Sequence, residues 1–207
     1  MAVLLTEMQV REVRERIRQV AEQQLAERGL QATSLRSIAS QMGWSPASLY
    51  RYYAGKAELL AATRAAAYNR FSDAIETAYA STSDPWGRSR AIGDAYVAFA
   101  FDEPAAYKLL FAYEQADTEK TDELRAAEAR SQFTLTTYVS EMVEAGLLEG
   151  DPATLAHVYW ASLHGLIVLQ MAGKLGQAPP FETVRHAAAR LITRGAAARR
   201  DGSGENG

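Results

Sequence analysis

The sequence predicts an all-α fold of about nine helices. Three observations carry that expectation. Apolar residues recur at spacings of three and four through every long segment. Ser or Asp followed by Pro opens helix after helix, and Gly stands at several of the far ends. No stretch alternates apolar and polar residues with the period of a strand, and no internal repeat or long linker is present.

The chain has 207 residues, 48% of them hydrophobic and 23% charged, an ordinary balance for a globular protein with a buried core. With no Cys, disulfides, thiolate metal sites and cysteine nucleophiles are excluded. The apolar run Ala2 to Leu5 is too short for a signal-peptide core, so the expected location is cytoplasmic.

Taken in order, Met8 to Arg28 places Val10, Val13, Ile17, Val20, Ala21 and Leu25 on one helical stripe, with Gly29 as its stop and Leu30 folding back on the helix end. Arg11, Arg14 and Arg18 share another face, read as a solvated face with pairs such as Glu7–Arg11. Thr33 to Lys56 then reads as two short helices and a tight turn. Ser34 N-caps the first, whose inner face is Leu35, Ile38, Ala39 and Met42; Gly43 ends it by taking a positive φ. Ser45 N-caps the second, with Pro46 at its first position and Leu49 facing back toward Ile38 and Ala39. Such a helix-turn-helix places its second helix in a DNA major groove.

Lys56 opens a long helix to about Ala80, buried along Leu60, Ala67, Phe71 and Ile75, and the expected lever for any signal. Asp84 and Pro85 start the next, to about Phe101; Asp102 and Pro104 start a short one through Tyr113. A long helix from about Thr118 to Ala145 carries Leu124, Ala127, Leu135, Tyr138 and Met142 and stops at Gly146. Asp151 and Pro152 open a helix to Ala172 that holds no Asp, Glu, Lys or Arg. His157, Ser162, His164 and Gln170 interrupt it, so a sandwiched helix at a subunit interface is expected rather than a membrane span. The last helix, Phe181 to about Arg194, adds Val184, Ala188, Leu191 and Ile192, enough for half of a four-helix dimer interface. The expected division is residues 1–55, 56–195 and a disordered tail over 196–207.

Net charge is −3, unfavourable for a nucleic-acid binder, but its distribution is uneven. Residues 1–57 hold eight Lys and Arg against five Asp and Glu (+3), and the remainder fourteen against twenty (−6). No acid lies between Glu27 and Glu58, whereas Arg28, Arg36, Arg51 and Lys56 do, which suits a DNA-reading head on an acidic body.

The run from Ala21 to Leu60 resembles the TetR family of bacterial transcriptional regulators. The likeness rests on A-E-R-G-L followed by A-T-S, on Ile38-Ala39, and on S-P-A-S-L-Y-R-Y-Y-A-G-K-A-E-L-L. Downstream, D-E-P-A-A-Y-K-L-L-F and W-A-S-L-H-G resemble a subgroup with a Trp-x-x-x-His-Gly run. The resemblance implies a three-helix DNA-binding head, a C-terminal ligand-binding and dimerisation domain, and a homodimer paired through the last two helices. It also implies repression of a double-stranded DNA operator, relieved by a small-molecule effector.

Carried onto this chain, the family's DNA contacts fall on Ser34, Ser45, Ala47, Ser48, Tyr50, Tyr52 and Lys56. Helix N-termini at Ser34 and Ser45 suit phosphate oxygens, Tyr50 and Tyr52 offer phenolic donors, and Lys56 reaches the DNA backbone. Ala47 suits a thymine methyl and Ser48 a base edge. Pro46 stands where a Lys or polar residue is common, so one donor is gone. Arg36 and Arg51 are then the candidates for reading guanine, each worth about 1–3 kcal/mol if bidentate.

The C-terminal aromatics, Tyr96, Phe99, Tyr107, Phe111, Phe133, Tyr138, Tyr159 and Trp160 among them, are mostly core, yet leave room for a largely apolar effector pocket. The expected contacts are Tyr107, Phe111, Tyr138, Trp160 and His164, with His164 and Tyr107 as polar anchors. His157 and His164 lack a third ligand at suitable spacing, so no metal is expected, and no cofactor motif is present. Two rival readings are an all-α enzyme, for which no nucleophile–base motif or phosphate loop exists, and a protein of this fold working through protein partners without DNA.

Overall fold

The computed structural model describes residues 6–111, 115–176 and 179–197. Within them the chain forms nine α-helices and a single 3-10 turn: α1 Glu7–Ala32, α2 Leu35–Gln41, α3 Pro46–Leu49, α4 Lys56–Ala80, α5 Pro85–Asp102, α6 Pro104–Phe111, the 3-10 turn Asp117–Glu119, α7 Asp122–Glu144, α8 Pro152–Met171 and α9 Phe181–Ala196. The only extended pairing among the described residues is an isolated bridge between Leu148 and Ala197.

The helix starts follow from their caps. Thr6 and Gln9 form a reciprocal capping box on α1, and Ser34 and Ser37 form one on α2. Asp84 accepts from the Gly87 N–H at 2.6 Å, and Asp151 from the Thr154 N–H at 2.8 Å, ahead of Pro85 and Pro152 at the first helical positions. Gly29, at a kink inside α1, takes φ 76°, and Gly43, just past α2, takes φ 70°, conformations other residues resist.

Four expectations need correction. Helical hydrogen bonding resumes after Gly29, so α1 continues through Ala32 across a kink rather than ending at Arg28. The second reading helix, expected to carry Tyr50 and Arg51 on its outer sides, is shorter: α3 closes at Leu49, and Tyr50 to Tyr52 form a turn held by Tyr52 and Tyr53 N–H groups on the Leu49 carbonyl. Asp102 closes α5 instead of capping α6; the Glu103 carbonyl accepts the first α6 bond, from the Tyr107 N–H at 2.9 Å. The last helix runs on to Ala196, past the expected end at about Arg194 and into the 196–207 tail, because Ala196 is buried and its carbonyl accepts from the Glu149 N–H at 2.7 Å. Residues 198–207 of the expected tail lie outside the described residues, as do Ala112 to Glu114.

Internal contacts divide the chain into two compact units, Met1–Ala74 with Ala98–Ser131, and Ile75–Val97 with Gln132–Gly207. The first holds a core of Ile17, Ala21, Leu35, Ile38, Leu49, Tyr53 and Leu59, against which Trp44 and Tyr52 are partly packed. Leu30 does fold back, onto Leu25, Leu60 and Leu109. Beside this apolar core lies a polar one. Arg64, only 3% exposed, pairs with Glu128 at 3.2 Å and meets Gln115, whose amide donates to the Ala57 and Glu119 carbonyls at 3.1 Å each. The second unit buries Ile75, Ile92, Tyr96, Val139, Met142, Leu148 and Ile167, and packs α8 along α9. Among the described residues no helix is long and apolar enough to cross a membrane.

Candidate nucleic-acid interface and effector cavity

The α2–α3 region is built on a fixed scaffold. Leu49 is fully buried under α2, which sets the direction of α3. Gln24, buried in the apolar stripe of α1, ties that helix to α2: its amide donates to the Ser37 carbonyl at 3.1 Å and the Gln41 side chain at 2.6 Å, and accepts from the Ser37 hydroxyl at 2.7 Å. Sequence reasoning missed this clamp. The signal was a lone Gln one turn from Ile17, Ala21 and Leu25 on the buried face.

From this scaffold Ser34, Arg36, Ser45, Ala47, Tyr50 and Arg51 are exposed, Tyr50 to 58%. Arg28 is exposed as well, and Arg28, Arg36 and Arg51 make no ion pair or hydrogen bond through their guanidiniums among the described residues. On α1, Arg11 and Arg16 are likewise exposed without an ion pair among the described residues, whereas two other arginines are held. Arg14 stacks on the Tyr53 ring and pairs with Glu58 at 3.6 Å, and Arg18 is bound to Glu15. The expected Glu7–Arg11 pair does not form. Ser48 is half-buried with its hydroxyl 2.9 Å from that of Ser45, and Tyr52 is half-buried against Trp44. The Lys56 ammonium donates to the Leu30 carbonyl at the end of α1, leaving two of its three protons for another acceptor.

The second unit contains a cavity of about 530 Å³, within the range of drug-sized ligand sites. Trp86, Tyr96, Tyr138, Trp160 and Leu163 give it an apolar interior from α5, α7 and α8, and α9 supplies Arg190 and Arg194. Of the expected ligand contacts, Tyr138 and Trp160 line it. His164 stands behind Trp160: the Tyr96 hydroxyl accepts from the Trp160 indole at 2.9 Å and lies 3.5 Å from His164 Nδ1. Burial lowers the His164 pKa, so the ring stays neutral near pH 7. Tyr107 and Phe111 do not line the cavity. They stack edge-on at 4.8 Å in the first unit, where Phe111 also meets Phe71.

Burial drives the Tyr138 pKa far above that of a free phenol, so its hydroxyl remains a neutral donor. That hydroxyl has no hydrogen-bond partner among the described residues. Tyr159 is anchored by a 2.8 Å bond to the Thr193 hydroxyl between α8 and α9. No group of three His, Asp or Glu capable of holding a metal occurs among the described residues.

A model of tetracyclin repressor-like C-terminal domains matches residues 89–194, and the model of bacterial regulatory proteins of the tetR family matches residues 17–63. The chain belongs to the TetR family. The family is one of bacterial regulatory proteins. Among curated relatives, the HTH-type transcriptional regulator Rv1816 of Mycobacterium tuberculosis is 30% identical over 102 residues, 48% of this chain and 44% of that protein. The chain thus spans less than half the length of the curated relatives it matches. A Rhodococcus protein of unknown function is 28% identical with a TM-score of 0.78, covering 89% of this chain and 95% of its own. A TetR family transcription regulator from Marinobacter aquaeolei has a TM-score of 0.76 at 22% identity, covering 94% and 100%, a likeness of fold alone.

Proposed function

We propose that this TetR-family regulator is a ligand-responsive repressor that binds a palindromic operator as a homodimer. The observation that carries the reading is the stretch from Arg28 to Ala57, which holds no Asp or Glu and presents three guanidiniums without an ion pair among the described residues, Arg28, Arg36 and Arg51. Ser34, Ser45, Tyr50, Tyr52 and Lys56 hold phosphates, and Ala47, Ser48, Arg36 and Arg51 face base edges. Residues 1–55 form the reading head and 56–195 the ligand-binding and dimerisation part.

Dimerisation runs through α8 and α9. Val158, Val168 and Leu169 are each 44% exposed and Leu191 is 71% exposed, an apolar surface on helices that otherwise pack well. Gly165 has nothing within 4 Å of where a Cβ would stand, leaving a gap for a partner helix. The effector occupies the cavity lined by Tyr138 and Trp160.

A gel shift on the DNA upstream of its own gene tests this reading. A salt-sensitive, sequence-specific shift supports it. No shift there or at neighbouring promoters would count for the partner-only alternative.

A further inference from the structure

The charges around the cavity are lopsided. Arg90, Arg185, Arg190 and Arg194 line it, against Asp94 as the one acid among its lining residues. Arg185 is already spent, since it meets Asp94 and Glu182 at 2.6 Å each. Arg90 touches only Asp84, loosely at 3.7 Å, and Arg190 and Arg194 have no ion pair among the described residues.

Helix electrostatics account for Arg194 alone, which sits in the last turn of α9 where a cation meets the negative end of the helix dipole. Arg190 lies a turn earlier. Arg90 lies in the second turn of α5, where the helix dipole gives a cation no support. Two solvent-exposed arginines from two helices therefore stand among the lining residues of a largely apolar cavity. Inside, the neutral Tyr138 hydroxyl offers an unused donor.

We propose that the cavity takes an organic monoanion with an apolar body, its carboxylate facing Arg90 and Arg190 and its body lying against Trp86, Tyr138, Trp160 and Leu163. The inference rests on reading the cavity as the effector site and adds the ligand's charge and class. At about 30 Å³ per water-sized group, the volume admits a body of about 18 non-hydrogen atoms at most. An acceptor oxygen partway along that body would gain a hydrogen bond from Tyr138. A cation is disfavoured because the lining's one carboxylate is neutralised by Arg185.

Isothermal titration of the full chain with decanoate, 1-decanol and decyltrimethylammonium, each below its micelle concentration, tests this. Decanoate is expected to bind once per protomer and about tenfold more tightly than 1-decanol, as one charge-assisted contact supplies. Arg90→Gln with Arg190→Gln should erase that preference and leave 1-decanol unchanged, with the circular dichroism melt as a folding check. Raising the salt should weaken decanoate alone. Ala189→Trp, at the cavity lining, should block both probes. Equal affinity for decanoate and 1-decanol, or a preference for the cation, overturns the anion class while leaving an apolar effector site standing. No saturable binding of any probe, or binding that survives Ala189→Trp, overturns the cavity itself as the effector site.

Discussion

Two regions of this protein carry arginines without a close ion pair, and they present them differently. Around α2 and α3, Arg28, Arg36 and Arg51 stand exposed on a stretch of sequence without acids, over a small core of residues close together in sequence. In the second unit, Arg90 and Arg190 border an apolar cavity assembled from α5, α7, α8 and α9, with lining residues from Trp86 to Arg194. Exposed cations around α2 and α3 suit an extended polyanion such as duplex DNA; cations at the lining of a partly open apolar cavity suit a small amphipathic anion. The difference teaches that the same residue type reports different partners according to what lies beneath it.

The scaffold under the first region is the place to break the comparison hardest. Leu49→Ala empties a fully buried site and should lower stability by about 2–5 kcal/mol in urea denaturation, abolishing operator binding without touching a DNA-facing group. Gln24→Ala leaves the Ser37 hydroxyl and Gln41 amide without their partner; a loss of about 1–3 kcal/mol is expected by the same measurement. A loss near zero would show that water replaces the clamp.

Arg51→Ala should cost about 1–3 kcal/mol on the specific operator and far less on random duplex, measured by fluorescence anisotropy. An equal loss on both would move Arg51 from base reading to phosphate holding. Arg28→Ala should weaken all sequences alike and reduce the salt slope of binding by about one.

The smallest effect concerns His164, whose folded-state pKa is depressed by burial. Below its unfolded pKa the unfolded chain binds the extra proton more readily, so stability is fully present above about pH 6.5 and falls as the pH drops through that value. In thermal melts His164→Gln should flatten this acid-side decline; an unchanged profile would assign the decline to other groups.

The head was legible in the sequence because its determinants are local. Ser34, Gly43 and Pro46 each act on the backbone within a few residues, and Leu49 faces α2 across one turn; Ser45 stands at the N-cap of α3 but its hydroxyl meets that of Ser48 instead of a backbone N–H. Even so, the length of α3 was misjudged, since helical periodicity does not register that Tyr50 to Tyr52 turn rather than continue. The cavity was only half legible. Tyr138 and Trp160 stood out as aromatics, but Tyr107 and Phe111 looked the same and pack against Phe71 instead. Aromatic content does not distinguish a lined cavity from a filled core. Arg90 and Arg190 were missed because their convergence is tertiary; Trp86 and Arg90 one turn apart, with His186 and Arg190 one turn apart on α9, were the available signal.

The central claim is that the exposed arginine face reads a two-fold symmetric operator. Selection of the full-length protein against a random duplex library at physiological salt tests it most directly. The account predicts enrichment of one palindromic site whose half-sites lie about 10 base pairs or more apart, with enrichment lost in the Arg36→Ala, Arg51→Ala double variant. Recovery of no common sequence, or of a site that the double variant selects equally well, would contradict it.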